Sequence, residues 1–154
     1  MWRRSKPDAD PYAAALRLLA RREHSRRELE RKLSGRCERQ DLAQVLDGLE
    51  QEGLLSDRRF SESFVRWRAD QGHGPVRIRE ELRERGVADE LAGAALDEWD
   101  EHWPRLAREV YRKRYGEDLP PDHQERARRA RFLQYRGFPA SVVRRVVDGI
   151  DEEG

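Results

Sequence analysis

Arginine dominates the side chains that could do chemistry in this chain. Of its 32 basic residues only Lys6, Lys32 and Lys113 are lysine. A guanidinium presents a planar fork of donors that grips carboxylates and phosphates through paired hydrogen bonds, so the bias points to recognition of anions. Pairing with the chain's own acids is the competing use. The other reactive types do not assemble into a known chemistry. His24, His73, His102 and His123 lack the i, i+4 spacing of a helical zinc site. Cys37 is the single cysteine, which excludes an internal disulfide and a multi-cysteine metal site; without a matched base it reads as an incidental thiol. Gly72-His73-Gly74-Pro75 lacks the lysine and hydroxyl of a phosphate-binding loop and reads as an interhelical turn. Asp97, Glu98, Asp100 and Glu101 would point in different directions from a helix and form a solvated face. The expectation is a binding protein, not an enzyme, with no cofactor and no metal.

The elements that must position these arginines come from a chain of 154 residues, 41% charged and 36% hydrophobic. Its mean hydropathy of −1.07 is low for a folded protein. The longest nearly apolar stretch, Tyr12 to Ala20, is broken by Arg17, so no membrane span is expected. The first residues, MWRRSKPDADP, have no apolar region of the kind a secretory signal needs. A cytoplasmic protein is expected.

Apolar spacing decides between order and disorder. Tyr12, Ala15, Leu16 and Leu19 recur at i, i+3, i+4 and i+7, as do Leu42, Val45, Leu46 and Leu49. Phe60, Phe64 and Trp67 form a similar stripe, followed by Ile78 and Leu82, then Leu91, Ala95 and Trp99. Trp103, Leu106 and Val110, then Ala130 and Leu133, then Val142, Val146 and Ile150 complete the series. No segment alternates with period two, so the chain reads as all-α with about nine short helices. Ser25 to Glu28 and Asp122 to Glu125 fit the capping box. Pro75, Pro104 and Pro139 suit first helical positions, and Gly35, Gly53, Gly86 and Gly137 suit helix ends. Gly116–Pro121 reads as a loop.

The helices repeat. Gly86 to Trp99 aligns without a gap on Gly137 to Ile150, and Leu82 pairs with Leu133 at the same offset. Residues 25–49 give a looser third copy. The organisation expected is a flexible segment over 1–11 and three three-helix units over 12–56, 57–102 and 103–152, stacked into an elongated molecule. Charge alternates along them beneath a net charge of only +1. Residues 21–37 carry +4, 38–57 carry −5, 58–88 carry +3, 89–101 carry −6 and 102–136 carry +5.

The middle of the chain carries a resemblance. Asp57, Arg59, Phe60, Phe64, Arg68, Gly72, Gly74, Pro75, Arg77, Ile78, Glu81, Leu82 and Gly86 stand in the order of the middle repeat of the RecX family of bacterial recombination regulators. Ala20 to Leu29 with Lys32 and Leu33 is similar to the family's first repeat, and Arg131 to Phe138 to its third. The resemblance spans Tyr12 to Ile150. One departure is His73, where the family usually carries an aromatic residue.

That resemblance implies three tandem three-helix repeats. It also implies a partner, the RecA–DNA filament, whose ATPase, strand-exchange and coprotease activities such proteins suppress during DNA repair and recombination. The candidate contacts for RecA or DNA are Arg66, Arg68, Arg77, Arg79, Arg83, Arg126, Arg129 and Arg136. The motif supports Arg68, Arg77 and Arg136; charge and helical position support the others. Phe60, Phe64, Ile78, Leu82, Phe132 and Leu133 are expected in the core, with Gly72, Gly74, Pro75, Gly86 and Gly137 shaping turns. Free protein is expected to be a monomer with some non-specific DNA affinity. The competing reading is a helix-turn-helix module acting on duplex DNA through residues 25–49. Its recognition helix at 38–52 would carry Glu38, Asp41, Asp47, Glu50 and Glu52 against Arg39 alone, the wrong sign for phosphate.

Overall fold

The computed structural model describes residues 10–150; most of the expected N-terminal segment and the last residues of the third unit lie outside them. Among the described residues there are nine helices and no strand. They are α1 (Pro11–Arg21), α2 (Arg26–Leu33), α3 (Arg39–Gln51), α4 (Asp57–Asp70), α5 (Pro75–Glu84), α6 (Asp89–Asp97), α7 (Trp103–Tyr115), α8 (His123–Tyr135) and α9 (Ala140–Val147). The extensive helix pairings all fall inside the triplets α1–α3, α4–α6 and α7–α9.

Local chemistry accounts for the helix boundaries. Ser25 caps α2 with a complete capping box: its hydroxyl accepts from the Glu28 amide and the Glu28 carboxylate accepts from the Ser25 amide. Asp122 supplies only half of the expected box. Its carboxylate accepts from the Glu125 amide at 2.8 Å, while the Glu125 side chain turns to Arg128 and Arg129. Pro75 opens α5, Pro104 is the second residue of α7, and Pro139 sits one position earlier than expected, as the cap of α9.

Apolar stripes from these helices form two clusters. Ala14, Ala15, Leu29, Leu33, Leu42, Leu46, Leu49 and Leu55 enclose the first, entirely from the α1–α3 unit and the turn after it. The second is continuous across α4–α9, from Phe60, Phe64, Ile78 and Leu82 through Trp103 to Leu133, Phe138 and Val147. Two stripes end differently from the sequence expectation. Trp67 is 53% exposed, because α4 turns Ser61, Val65 and Ala69 inward beside Phe60 and Phe64, leaving Trp67 at the rim. Ile150 lies beyond the last turn of α9 and is half exposed.

Candidate partner surface at the second junction

Adjacent units meet by one rule: the start of a unit's second helix meets the turn between the second and third helices of the next unit. The first-turn amides of a helix have no partner inside it and must find one elsewhere. At the α5 start, the Gly74 amide donates to the Arg136 carbonyl at 2.8 Å and the Val76 amide to the Gly137 carbonyl at 2.9 Å. At the α2 start, the Arg26 amide donates to Asp57 Oδ1 at 2.8 Å and the Ser25 hydroxyl to the Arg85 carbonyl at 2.8 Å.

The second junction gathers arginines from three elements. Arg68, near the end of α4, donates twice to Glu81 at 2.7 Å and also reaches Gln71 Oε1 at 2.5 Å. Arg77, in the first turn of α5, shares the same carboxylate, with Nε 3.4 Å from Glu81 Oε2, and donates to the Tyr135 carbonyl at 3.4 Å. Arg136, at the end of α8, donates to the Gln71 carbonyl at 3.3 Å. Burial opposes the Glu81 charge, yet the two guanidiniums outweigh it and hold this carboxyl below its ordinary range. Two cations thus share one carboxylate, and Arg136 beside them bonds only a backbone carbonyl, leaving positive charge to spare. His73 faces them and stays neutral: burial, then Arg68, Arg77 and Arg136, push its imidazole down to about 4. Its Nδ1 is buried without a hydrogen-bond partner among the described residues.

The remaining candidate arginines separate into two groups. Arg66 is exposed and pairs with nothing among the described residues, while Arg83 sits in open ion pairs with Glu80 and Asp89. Arg79 is half-buried, its guanidinium against Gly93 of α6. Arg126 and Arg129 lie away from this surface and serve the third unit itself. Arg126 pairs bidentately with Asp148 at 2.8 and 3.1 Å. Arg129 is 9% exposed and joins the Tyr111 hydroxyl, the Asp118 carbonyl and Glu125. The structural residues fall where expected: Phe60, Phe64, Ile78, Leu82 and Leu133 are buried, and Phe132 packs partly buried against the same core.

Two residues of this surface escaped the sequence reading. Tyr135 is 77% exposed with the Arg77 guanidinium 5.5 Å from its ring centre. Trp67 stands in the same relation to Arg68, also at 5.5 Å. Tyr135 carried a legible signal, standing between Gln134 and Arg136 outside the apolar stripe of α8. Trp67 carried none, since its spacing matches a core position. Among the described residues no three His, Cys, Asp or Glu side chains could hold a metal ion, and no helix is long and apolar enough to cross a membrane.

Comparison with known proteins assigns each triplet. The family models for the first, second and third three-helix domains of RecX match residues 12–49, 56–96 and 101–147. The chain is 49% identical to the regulatory protein RecX of Halorhodospira halophila over 141 residues, covering 91% of this chain and 88% of that one. It is 47% identical to that of Pseudomonas syringae pv. tomato over 136 residues, 88% of each. The crystal structure of RecX from Lactobacillus salivarius superposes with a TM-score of 0.78 at 23% identity, covering 94% of this chain and 96% of the other.

Proposed function

Since the chain belongs to the RecX family, we propose that it is a negative regulator of the recombinase RecA. It binds the RecA–DNA filament in the cytoplasm and restrains ATP hydrolysis, strand exchange and coprotease action without catalysing a reaction itself. The observation that carries this reading is the arginine surface of the second junction. Of its three arginines two share a single carboxylate and the third bonds a backbone carbonyl, and they stand on two units joined by one core. Such a surface offers fixed donors to acidic side chains of the filament or to phosphates of the DNA within it. Exposed Arg66 on α4 and Arg83 on α5 are further candidate contacts. Repeated units add avidity, because each contact holds the next near its site.

The test is ATP hydrolysis by RecA on single-stranded DNA, with the protein added below stoichiometric amounts. Inhibition is expected from the native chain. Arg66→Glu combined with Arg83→Glu should raise the half-inhibiting concentration on the order of ten-fold, since each reversed contact removes a charge-assisted bond. Both side chains are exposed, so circular dichroism should be unchanged. Unaltered hydrolysis with excess folded native protein overturns the proposal.

A further inference from the structure

Trp67 and Tyr135 are at once exposed and built into a network, and that combination needs explaining. An exposed aromatic ring gives up the burial its apolar surface favours, and a single one carries no message by itself. Here two rings hang from one carboxylate. Glu81 holds Arg68, whose guanidinium lies 5.5 Å from the centre of the Trp67 ring. It also holds Arg77, which stands at 5.5 Å from the centre of Tyr135. Phe64 also meets the Trp67 ring edge-on at 5.6 Å, yet Trp67 stays 53% and Tyr135 77% exposed, so both rings keep open surface beside their arginines. The arginines limit how the rings can turn, which lowers the entropy cost of ordering them when something stacks there. Unspent cations flank both: Arg66 is the neighbour of Trp67, and Arg131 precedes Tyr135 by one helical turn, each exposed and unpaired among the described residues.

We propose that Trp67 and Tyr135 form a stacking platform for unpaired bases of single-stranded nucleic acid, with Arg66 and Arg131 taking the flanking phosphates. Flat aromatic faces beside exposed guanidiniums accept any base, because every base has a π-face. Duplex DNA does not fit this platform, since its bases are already stacked on one another. The platform belongs to the arginine surface proposed above as the partner surface, but its ligand is read from the rings and not from the identity of the filament.

The experiment uses the full chain without RecA and a fluorescently labelled oligothymidylate, with binding followed by anisotropy. Tyr135→Leu and Trp67→Leu should each weaken binding roughly ten-fold, the range of one lost base–aromatic stack. Tyr135→Phe, which keeps the ring, should bind as the native chain does. An abasic oligomer of equal length, carrying the same phosphates, should bind about as weakly as the leucine variants. The proposal is overturned by absent binding, by native-like binding of both leucine variants, or by equal binding of abasic and normal oligomers. The RecA hydrolysis assay separates the two proposals. Inhibition persisting where base binding fails removes the platform alone; base binding without inhibition removes only the regulatory reading.

Discussion

The two junctions of this molecule use the same docking rule with opposite materials. Between the first and second units the contacts are polar: Ser25 on the Arg85 carbonyl, Asp57 on the Arg26 amide, Arg59 on Glu23 at 2.8 Å and Arg85 near Glu28 at 3.8 Å. The apolar clusters on either side stay separate. Between the second and third units the same turn is pressed into a continuous core, with Phe138 against Gly74 and Trp103 bridging α6 and α7. Exposed ion pairs contribute about 0–1 kcal/mol each, whereas a fully buried large apolar side chain contributes about 1.5–3 kcal/mol. The second and third units therefore act as one body. The first is held to it by hydrogen bonds and ion pairs, some of them buried as at Ser25, without a shared apolar core.

Truncating the shared core tests this division with the largest effect. Phe138 is 3% exposed and reaches across the junction, so Phe138→Ala should cost roughly 3–5 kcal/mol. Hydrogen exchange should then show α4–α6 and α7–α9 losing protection together, while α1–α3 keep the protection their own core confers. Loss confined to α7–α9, or spread equally over all nine helices, would show that the two-body division is wrong.

Three glycines in equivalent turns rank the junctions more finely, all with positive φ. Gly137 has φ +102°, and a Cβ there would lie 2.8 Å from the Arg77 amide nitrogen and 3.0 Å from the Gly74 carbonyl, so backbone would have to move. Gly86 has φ +79° and would meet the Arg27 side chain, whose Cδ and Nε at 2.9 Å can swing away but whose Cβ at 2.7 Å moves only with α2. Gly35, at the outer end of the first unit, has φ +87° and nothing within 4 Å. Urea midpoints should place Gly137→Ala worst, about 3 kcal/mol down, with Gly86→Ala about 1–2 and Gly35→Ala about 1 kcal/mol, the cost of the left-handed backbone alone. Equal losses would make all three effects local strain and remove the distinction between junctions.

These glycines also mark how far the sequence could be read. Their placement at helix ends was legible because a left-handed turn residue is a local requirement. The helices were legible because their stripes are local too, as with Leu42, Val45, Leu46 and Leu49. Which glycine touches backbone was not, since that depends on residues some sixty positions away, as Gly137 and Gly74 show. The arginines divide the same way. The motif pointed to Arg68, Arg77 and Arg136, which the fold brings together, but nothing local distinguishes Arg129, buried on Tyr111, from exposed Arg66. Alternating segment charge, equally, does not say which pairs close inside the molecule.

Acid should separate the junctions by the smallest margin. Each has a histidine directly before the cap of its second helix, His24 and His73, and burial lowers both from an ordinary value of about 6.5. An unfolded chain takes up the proton as pH falls through that value, and the folded chain refuses it until lower. Stability is therefore full above about 6.5 and drains away as pH falls, for His73 until its folded value of about 4 is passed. The two sites are not equal. His24 Nδ1 lies 3.0 Å from the Arg22 carbonyl and Nε2 3.1 Å from Lys32 Nζ, so the neutral ring is fully partnered, and the carbonyl contact partly offsets burial. His73 has an unpartnered Nδ1 and three arginines around it. Asp57 at the first junction works in the opposite sense. Burial raises its carboxyl despite the Arg26 amide, so the folded chain binds that proton more readily and recovers stability in acid. The loss between pH 7 and about 5 should therefore trace mainly to the second junction. His73→Phe should flatten that part of the urea-midpoint profile, by less than about 1 kcal/mol once solvent screening is allowed for. His24→Phe should change its slope less. A steeper dependence on His24 than on His73 would place the acid-sensitive contact at the polar junction instead.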